Sequence, residues 1–271
     1  MAILRVNMFK QRLLTALVLI PLVLAIIYYA NIFIMESVVL ILVAAAGWEW
    51  TKLIPLNGWL SKSFFILLLL FIVVLSSIWL NYYLVVGFLL LCLILLAVLT
   101  FPSSEAYWGH RIFVGLSSLI ILPLFANSLV NICQYPQGKL LFVYLLVLVS
   151  VTDSGAYLVG KSLGRNKLIP KVSPGKTVEG AAAGLILAML TAGIGYFYFD
   201  FTLNYVWFFL AFVTALISIL GDLFISMLKR RVKLKDTGKI LPGHGGILDR
   251  IDGLIVALPV FYAGFSWFFI K

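Results

Sequence analysis

Stretches of about 20 consecutive apolar residues recur along this chain, and no other feature constrains its fold as strongly. A helix needs roughly that length to cross the hydrocarbon layer of a bilayer. Seven such runs are plain, over residues 64–80, 83–101, 112–132, 140–160, 178–199, 207–228 and 251–270. Residues 13–50 are too long for one span and are read as two, turning near Asn31, which puts Glu36 towards the outer end of the second. The expectation is an all-α, polytopic integral membrane protein of about nine transmembrane helices, forming a single transmembrane domain over residues 1–271. The first half holds little besides spans and short turns, and the polar residues that could carry chemistry are concentrated after residue 150.

Composition excludes the soluble alternative. The chain is 63% hydrophobic and 11% charged, with a mean hydropathy of +1.15, more apolar surface than one water-soluble core can bury. The first apolar run, 13–35, exceeds the 7–15 residues or so of a signal-peptide core and ends in no small-residue cleavage site, so a retained span is expected. Cys92 and Cys133 lie in or beside apolar runs, which leaves no disulfide framework or zinc ligand set.

The net charge of +10 would suit nucleic acid or an anionic membrane surface, and its distribution decides. With the N-terminus in the cytoplasm, 18 of the 20 basic residues fall on inner segments, leaving Lys139 and Lys271 outside. Such a positive-inside bias accounts for the basicity without nucleic acid. Two inner segments stand apart, residues 161–177 and 229–250, which together carry 12 basic residues.

Ionisable groups within spans are costly and point to function. Asp153 and Asp222 each lie about two helical turns before the first lysine of an inner segment, Lys161 and Lys229, which sets both carboxyls roughly 10 Å inside the boundary. Equal depth suggests a shared site; a structural polar pair joining two helices is the plainer alternative. Asp249 and Asp252, three residues apart, share a helix face at the inner start of the last span. Carboxylates are suitable ligands for a magnesium ion that also meets substrate phosphates, whereas helix capping would explain one of the two well. Between these lies Pro242-Gly243-His244-Gly245-Gly246, whose backbone can approach a phosphate closely. His244 is read as a hydrogen-bond donor there.

The other inner segment ends in Ser173-Pro174-Gly175-Lys176-Thr177-Val178-Glu179-Gly180. Gly-Lys-Thr is similar to the end of a P-loop, but that motif needs a glycine at position 170, where Pro170 stands, and no strand is expected before it. A helix start with Ser and Thr caps and one lysine remains, still suited to an anion or to lipid headgroups. Gly180, Gly184, Gly193 and Gly195 are expected at close helix contacts, and Trp48, Trp50 and Trp59 as interfacial anchors.

Taken together, Ser226, Lys229-Arg230, Lys235-Asp236, Pro242-Gly243-His244-Gly245-Gly246 and Asp249-Arg250-Ile251-Asp252 resemble the 27-residue signature of the phosphatidate cytidylyltransferases, the CDP-diacylglycerol synthases. Asp153-Ser154-Gly155-Ala156-Tyr157, Gly160-Lys161, Gly164, Lys167 and the segment 173–180 resemble a second block of that family, with Gly175 where many members carry lysine. The resemblance covers about residues 150–260. It implies transfer from CTP to phosphatidic acid, giving CDP-diacylglycerol and pyrophosphate, with magnesium and room for a second cation. It also implies a homodimer in the inner (plasma) membrane with its site on the cytoplasmic side.

On that basis Asp222, Asp249, Lys176 and Arg250 are the expected catalytic residues, and Asp222, Asp249, Asp252 and Asp153 the expected metal ligands. Substrate contacts fall to Ser173, Lys176, Thr177, Lys229, Arg230, Lys235, His244, Gly245, Gly246 and Arg250. The rival readings are another lipid-headgroup phosphotransferase, whose usual aspartate pattern is absent, and a transporter with Asp153 and Asp222 as an ion or proton relay.

Overall fold

The protein is described from a computed structural model covering residues 2–199, 204–238, 240 and 245–269. Its helices run in the order α1 (Ala2–Tyr29), α2 (Ile32–Leu53), α3 (Trp59–Ile78), α4 (Leu80–Leu99), the short α5 (Glu105–Trp108), α6 (Arg111–Gln134) and α7 (Gly138–Ser162). Two short strands follow, β1 (Lys167–Ile169) and β2 (Ser173–Thr177), then α8 (Val178–Phe199), α9 (Asn204–Arg231), the single turn α10 (Leu248–Ile251) and α11 (Leu254–Phe269). Seven of the described helices are long and apolar enough to cross a membrane, and the apolar stretches Leu17–Tyr29 and Leu254–Phe269 are shorter. The protein is therefore an all-α, multi-pass membrane protein.

The turn expected near Asn31 is there. Asn31 caps α2, its side-chain oxygen accepting from the Ile34 amide at 2.9 Å. The last expected span differs: its inner end breaks into α10 and α11 with a turn at Asp252 and Gly253, and residue 270 lies outside the described residues.

Among the seven long helices the most enclosed are α6 and α9. Around α6 pack α2, α3, α4, α7 and α11; against α9 pack α8 and α11. Pro123 lies inside α6 and has no N–H to give the Leu119 carbonyl one turn earlier, and the Tyr83 hydroxyl of α4 donates to that carbonyl instead. Asn127, one turn on, donates to the Val73 carbonyl at 3.0 Å and to Ser76 Oγ at 2.9 Å, tying α6 to α3 where hydrocarbon offers no other partner.

The seam between α7 and α8 is built on glycine. A side chain at Gly184 would meet the Thr152 carbonyl at 2.6 Å, and one at Gly180 the Ala156 carbonyl at 2.5 Å. Gly195 lets α8 close on Tyr144 and Trp207 in the same way, whereas Gly193 faces open space and makes no such contact.

Polar contacts sort the segments between helices to two ends. At one, Lys52 Nζ donates to the Thr237 carbonyl at 2.6 Å, Arg231 donates to the Leu53 and Gly109 carbonyls, and Arg230 Nε donates to Val172 at 3.3 Å. At the other, Lys139 Nζ donates to the carbonyls of Tyr28 and Ala30, at the end of α1. Residues near 53, 109, 172 and 237 thus share one end, in keeping with the alternation expected of the spans.

Two expectations need correction. Trp50 is no interfacial anchor: it is fully buried, and its indole N–H donates to the Val114 carbonyl of α6 at 3.1 Å, whereas Trp59 is exposed. A strand does precede Lys176, since β1 and β2 form an antiparallel hairpin with Lys167 opposite Thr177; the missing glycine still excludes a P-loop.

Because Gly184 has backbone against it, Gly184→Leu is expected to destabilise the protein by about 1–3 kcal/mol through overpacking. Gly193→Ala should be neutral, or stabilising by up to about 1 kcal/mol, since it adds helix propensity in open space. Thermal unfolding of the two variants in detergent checks this.

Candidate active site

One face of α9 carries three of the polar residues of the candidate site. Asp222, Ser226 and Lys229 follow one another at spacings of four and three, so they line up along the helix, and Ser226 Oγ donates to Asp222 Oδ1 at 3.2 Å. Each charged member meets an opposite charge from another element. Lys176 Nζ, on β2, lies 2.5 Å from Asp222 Oδ2, and Lys229 Nζ lies 2.9 Å from Asp249 Oδ1 in α10.

The hairpin delivers Lys176 because its last residue, Thr177, runs directly into α8 and caps it. Thr177 is buried, and its hydroxyl oxygen accepts from the Gly180 amide at 3.1 Å, the capping role expected of it. Ser173 sits at the other end of β2, not at a helix start. Between β2, α7, α8 and α9 is a cavity of about 280 Å³. Asp153, Asp222, Lys176, Ser173 and Thr177 supply its polar lining, and Tyr157, Leu168, Ala181 and Ile219 are among its apolar residues. Five residues singled out from sequence thus meet in one space lined by both charged and apolar groups. Gly175 also lines it, with nothing near the position a side chain would take.

Asp249 stands outside that lining and has both oxygens engaged. Oδ1 accepts from Lys229, and Oδ2 accepts from the amides of Thr237 at 2.8 Å and Gly246 at 3.0 Å. Burial raises its pKa, and the Lys229 ammonium with the two amides more than offsets that, so the carboxyl is held below the ordinary carboxylate range. Gly245 takes a positive φ of 87° beside it, a conformation glycine adopts without strain. Asp252 follows α10 and lies within electrostatic reach of Asp222, Lys229 and Asp153.

Lys235 and Arg250 are exposed at this end of the molecule. Arg230 uses its Nε on the Val172 carbonyl, joining α9 to the hairpin. His244 lies outside the described residues. Among the described residues no three His, Cys, Asp or Glu side chains converge as a metal-holding group. The charged lining still suits a hard cation that takes one or two carboxylates and completes its shell with substrate phosphates and water.

Sequence reasoning missed Glu49. It is fully buried near the inner end of α2 and accepts from Thr237 Oγ1 at 2.9 Å and from the Ile247 and Leu248 amides at 3.1 and 2.9 Å. A buried acid in an otherwise apolar span is a signal, but its partners lie almost 200 residues away.

Comparison with known proteins adds an independent finding. The model of the Cytidylyltransferase family matches residues 10–268 of the chain. The chain is 37% identical to a phosphatidate cytidylyltransferase of Pseudomonas aeruginosa, over 94% of its own length and 96% of that protein's. It is 37% identical to one of Haemophilus influenzae, over 97% and 100%. With the enzyme of that name from Bacillus subtilis it is 46% identical over 135 residues, about half of each chain.

Asp249→Asn keeps the size of the side chain and leaves Lys229 partly buried without its counter-charge, so a loss on the order of 2 kcal/mol is expected. A depressed pKa means that the contribution is complete above about pH 4 and is lost only as the pH falls through the lowered folded value. Unfolding of wild type and variant should therefore differ at neutral pH and converge in strong acid.

Proposed function

This chain belongs to the Cytidylyltransferase family, and from that premise we propose that it transfers the cytidylyl group of CTP to phosphatidate, giving CDP-diacylglycerol and pyrophosphate. It is a nucleotidyltransferase of phospholipid biosynthesis. The observation that carries the reading at the site is the row of charge on α9, with Lys176–Asp222 in the lining of a cavity that has both charged and apolar walls and Lys229–Asp249 about two turns further along the helix. A lipid phosphate needs both kinds of wall.

In the reaction a phosphatidate oxygen attacks the α-phosphorus of CTP, the bond from that phosphorus to the α–β bridging oxygen breaks, and pyrophosphate leaves with its electrons. Both reactants are anionic, so positioning and charge neutralisation dominate over proton transfer. The attacking phosphate is already largely ionised near neutral pH and needs no general base. Lys176 is placed to meet phosphate oxygens inside the cavity. Lys229, Arg230, Lys235 and Arg250 would supply further positive charge to the phosphates, and Arg250 suits a bidentate grip. Ser173 and Thr177 border the same space, and the Gly245-Gly246 backbone flanks Asp249.

A magnesium ion belongs to this proposal. Asp153 and Asp222 would hold it, with Asp252 within electrostatic reach, and it would supply charge neutralisation at the phosphates. Asp249 would join only by exchanging its present donors, so its first role here is to fix Lys229 and the turn that bears Arg250. The site is assigned to the cytoplasmic side of the inner membrane, because basic residues crowd the end at which it lies.

Purified protein given labelled CTP, phosphatidate and magnesium should form labelled CDP-diacylglycerol. Asp222→Asn and Lys176→Ala should each lower the rate by about 100-fold or more while the protein stays folded. A folded Asp222→Asn protein working at the wild-type rate would remove that carboxylate from the mechanism.

A further inference from the structure

Among the described residues, the segment that brings Asp249 and Arg250 to the site forms no helix between the end of α9 and the single turn α10. After α9 the described chain runs through turns and bends to Gly238, and from Gly245 into the single turn α10. Something outside it must define its course, because loop backbone without partners is free to reorganise.

That partner is on α2. Thr237 has all three of its polar groups occupied. Its amide donates to Asp249 Oδ2, its hydroxyl to Glu49 Oε2, and its carbonyl accepts from Lys52 Nζ. Glu49 and Lys52 are three residues apart and so present one face of α2 to the segment. Glu49 reaches further, accepting the amides of Ile247 and Leu248 as the chain enters α10. Gly238 and Gly246 pack directly on the Glu49 carboxyl, with no room for a side chain at either. Glu49 itself is fully enclosed, and its three donors are a hydroxyl and two amides.

The geometry points to Glu49 as a positioning residue for the transfer reaction: from the N-terminal half of the chain it fixes Thr237 and the entry to α10 at Ile247 and Leu248, and through them the placement of Asp249, Lys229 and Arg250. This rests on the reading of the site as one of nucleotidyl transfer. Glu49 touches no cavity-lining residue's functional group and acts through the segment. Hydroxyl, amide and carboxylate form one chain, Glu49–Thr237–Asp249–Lys229, that ends on α9. Truncating or neutralising its first member turns the Ile247 and Leu248 amides into buried donors without a full acceptor.

The test compares the full-length protein in detergent with Glu49→Gln, Glu49→Leu, Thr237→Val and, as a control at the opposite end of α2, Glu36→Gln. Two quantities are measured: hydrogen exchange of peptides covering Thr237, Gly238 and 245–250, and kcat/KM for CTP. Gln keeps one acceptor oxygen and Leu keeps none, so exchange should accelerate and kcat/KM fall in the order Gln then Leu, by about tenfold or more for Leu. Thr237→Val should move both in the same direction by less, and Glu36→Gln neither. Exchange in α6 and α9 should stay at the wild-type level.

Wild-type protection of the segment in the Gln and Leu variants would overturn the proposal, as would lost protection with intact turnover. Equal loosening of α6 and α9 would overturn it too, because Glu49 would then be supporting the bundle at large. If Leu does not fold, Gln and Thr237→Val decide. A wild-type protein that makes no CDP-diacylglycerol would sink the proposed function, while exchange would still report whether Glu49 holds the segment.

Discussion

In hydrocarbon a backbone amide or carbonyl finds no water, and every one must be satisfied by the protein itself. That requirement governs the molecule from its architecture down to single side chains. It makes each span a helix and leaves loops to the ends. It also explains why Tyr83 answers the carbonyl that Pro123 strands in α6, and why Lys139 sits on the last carbonyls of α1. Once the spans are fixed in this way, polar chemistry is confined to the ends, where four separate stretches of chain meet.

The basic residues at that end do two kinds of work. Lys52, Arg230 and Arg231 donate to main-chain carbonyls at 237, 172, 53 and 109, so part of the positive charge is mortar between segments. Lys176 and Lys229 instead face aspartates, where an incoming phosphate would compete for them. A count of charges predicts the side of the membrane, but only the partners separate the two kinds.

Much of this was legible in the amino-acid order. Apolar runs gave the helices because span length is set by bilayer thickness, and Asn31 marked a turn because its side chain caps. The carboxylates Asp153 and Asp222 stood out as charges inside spans. What escaped depended on distant contacts. Trp50 reads as interfacial, since tryptophan favours that level, yet α6 covers it. Ser173–Thr177, rich in proline and glycine, shows no alternation to betray a strand. Glu49, three residues from Lys52, reads as half of an ordinary pair on one helix, whereas both side chains are turned to residues near 237. The break at Asp252 and Gly253 was hidden by an unbroken apolar run beyond it.

The glycine seam of α7 and α8 has a mechanical corollary. At Gly180 and Gly184 main chain lies directly against main chain, which leaves little slack for these helices to shear, and the hairpin joins the end of one to the start of the other. Asp153 and Lys176 therefore belong to one stiff jaw. Asp222 stands on a different element, α9, so widening the space between it and that pair would require α9 to shift against its packing on α8 and α11.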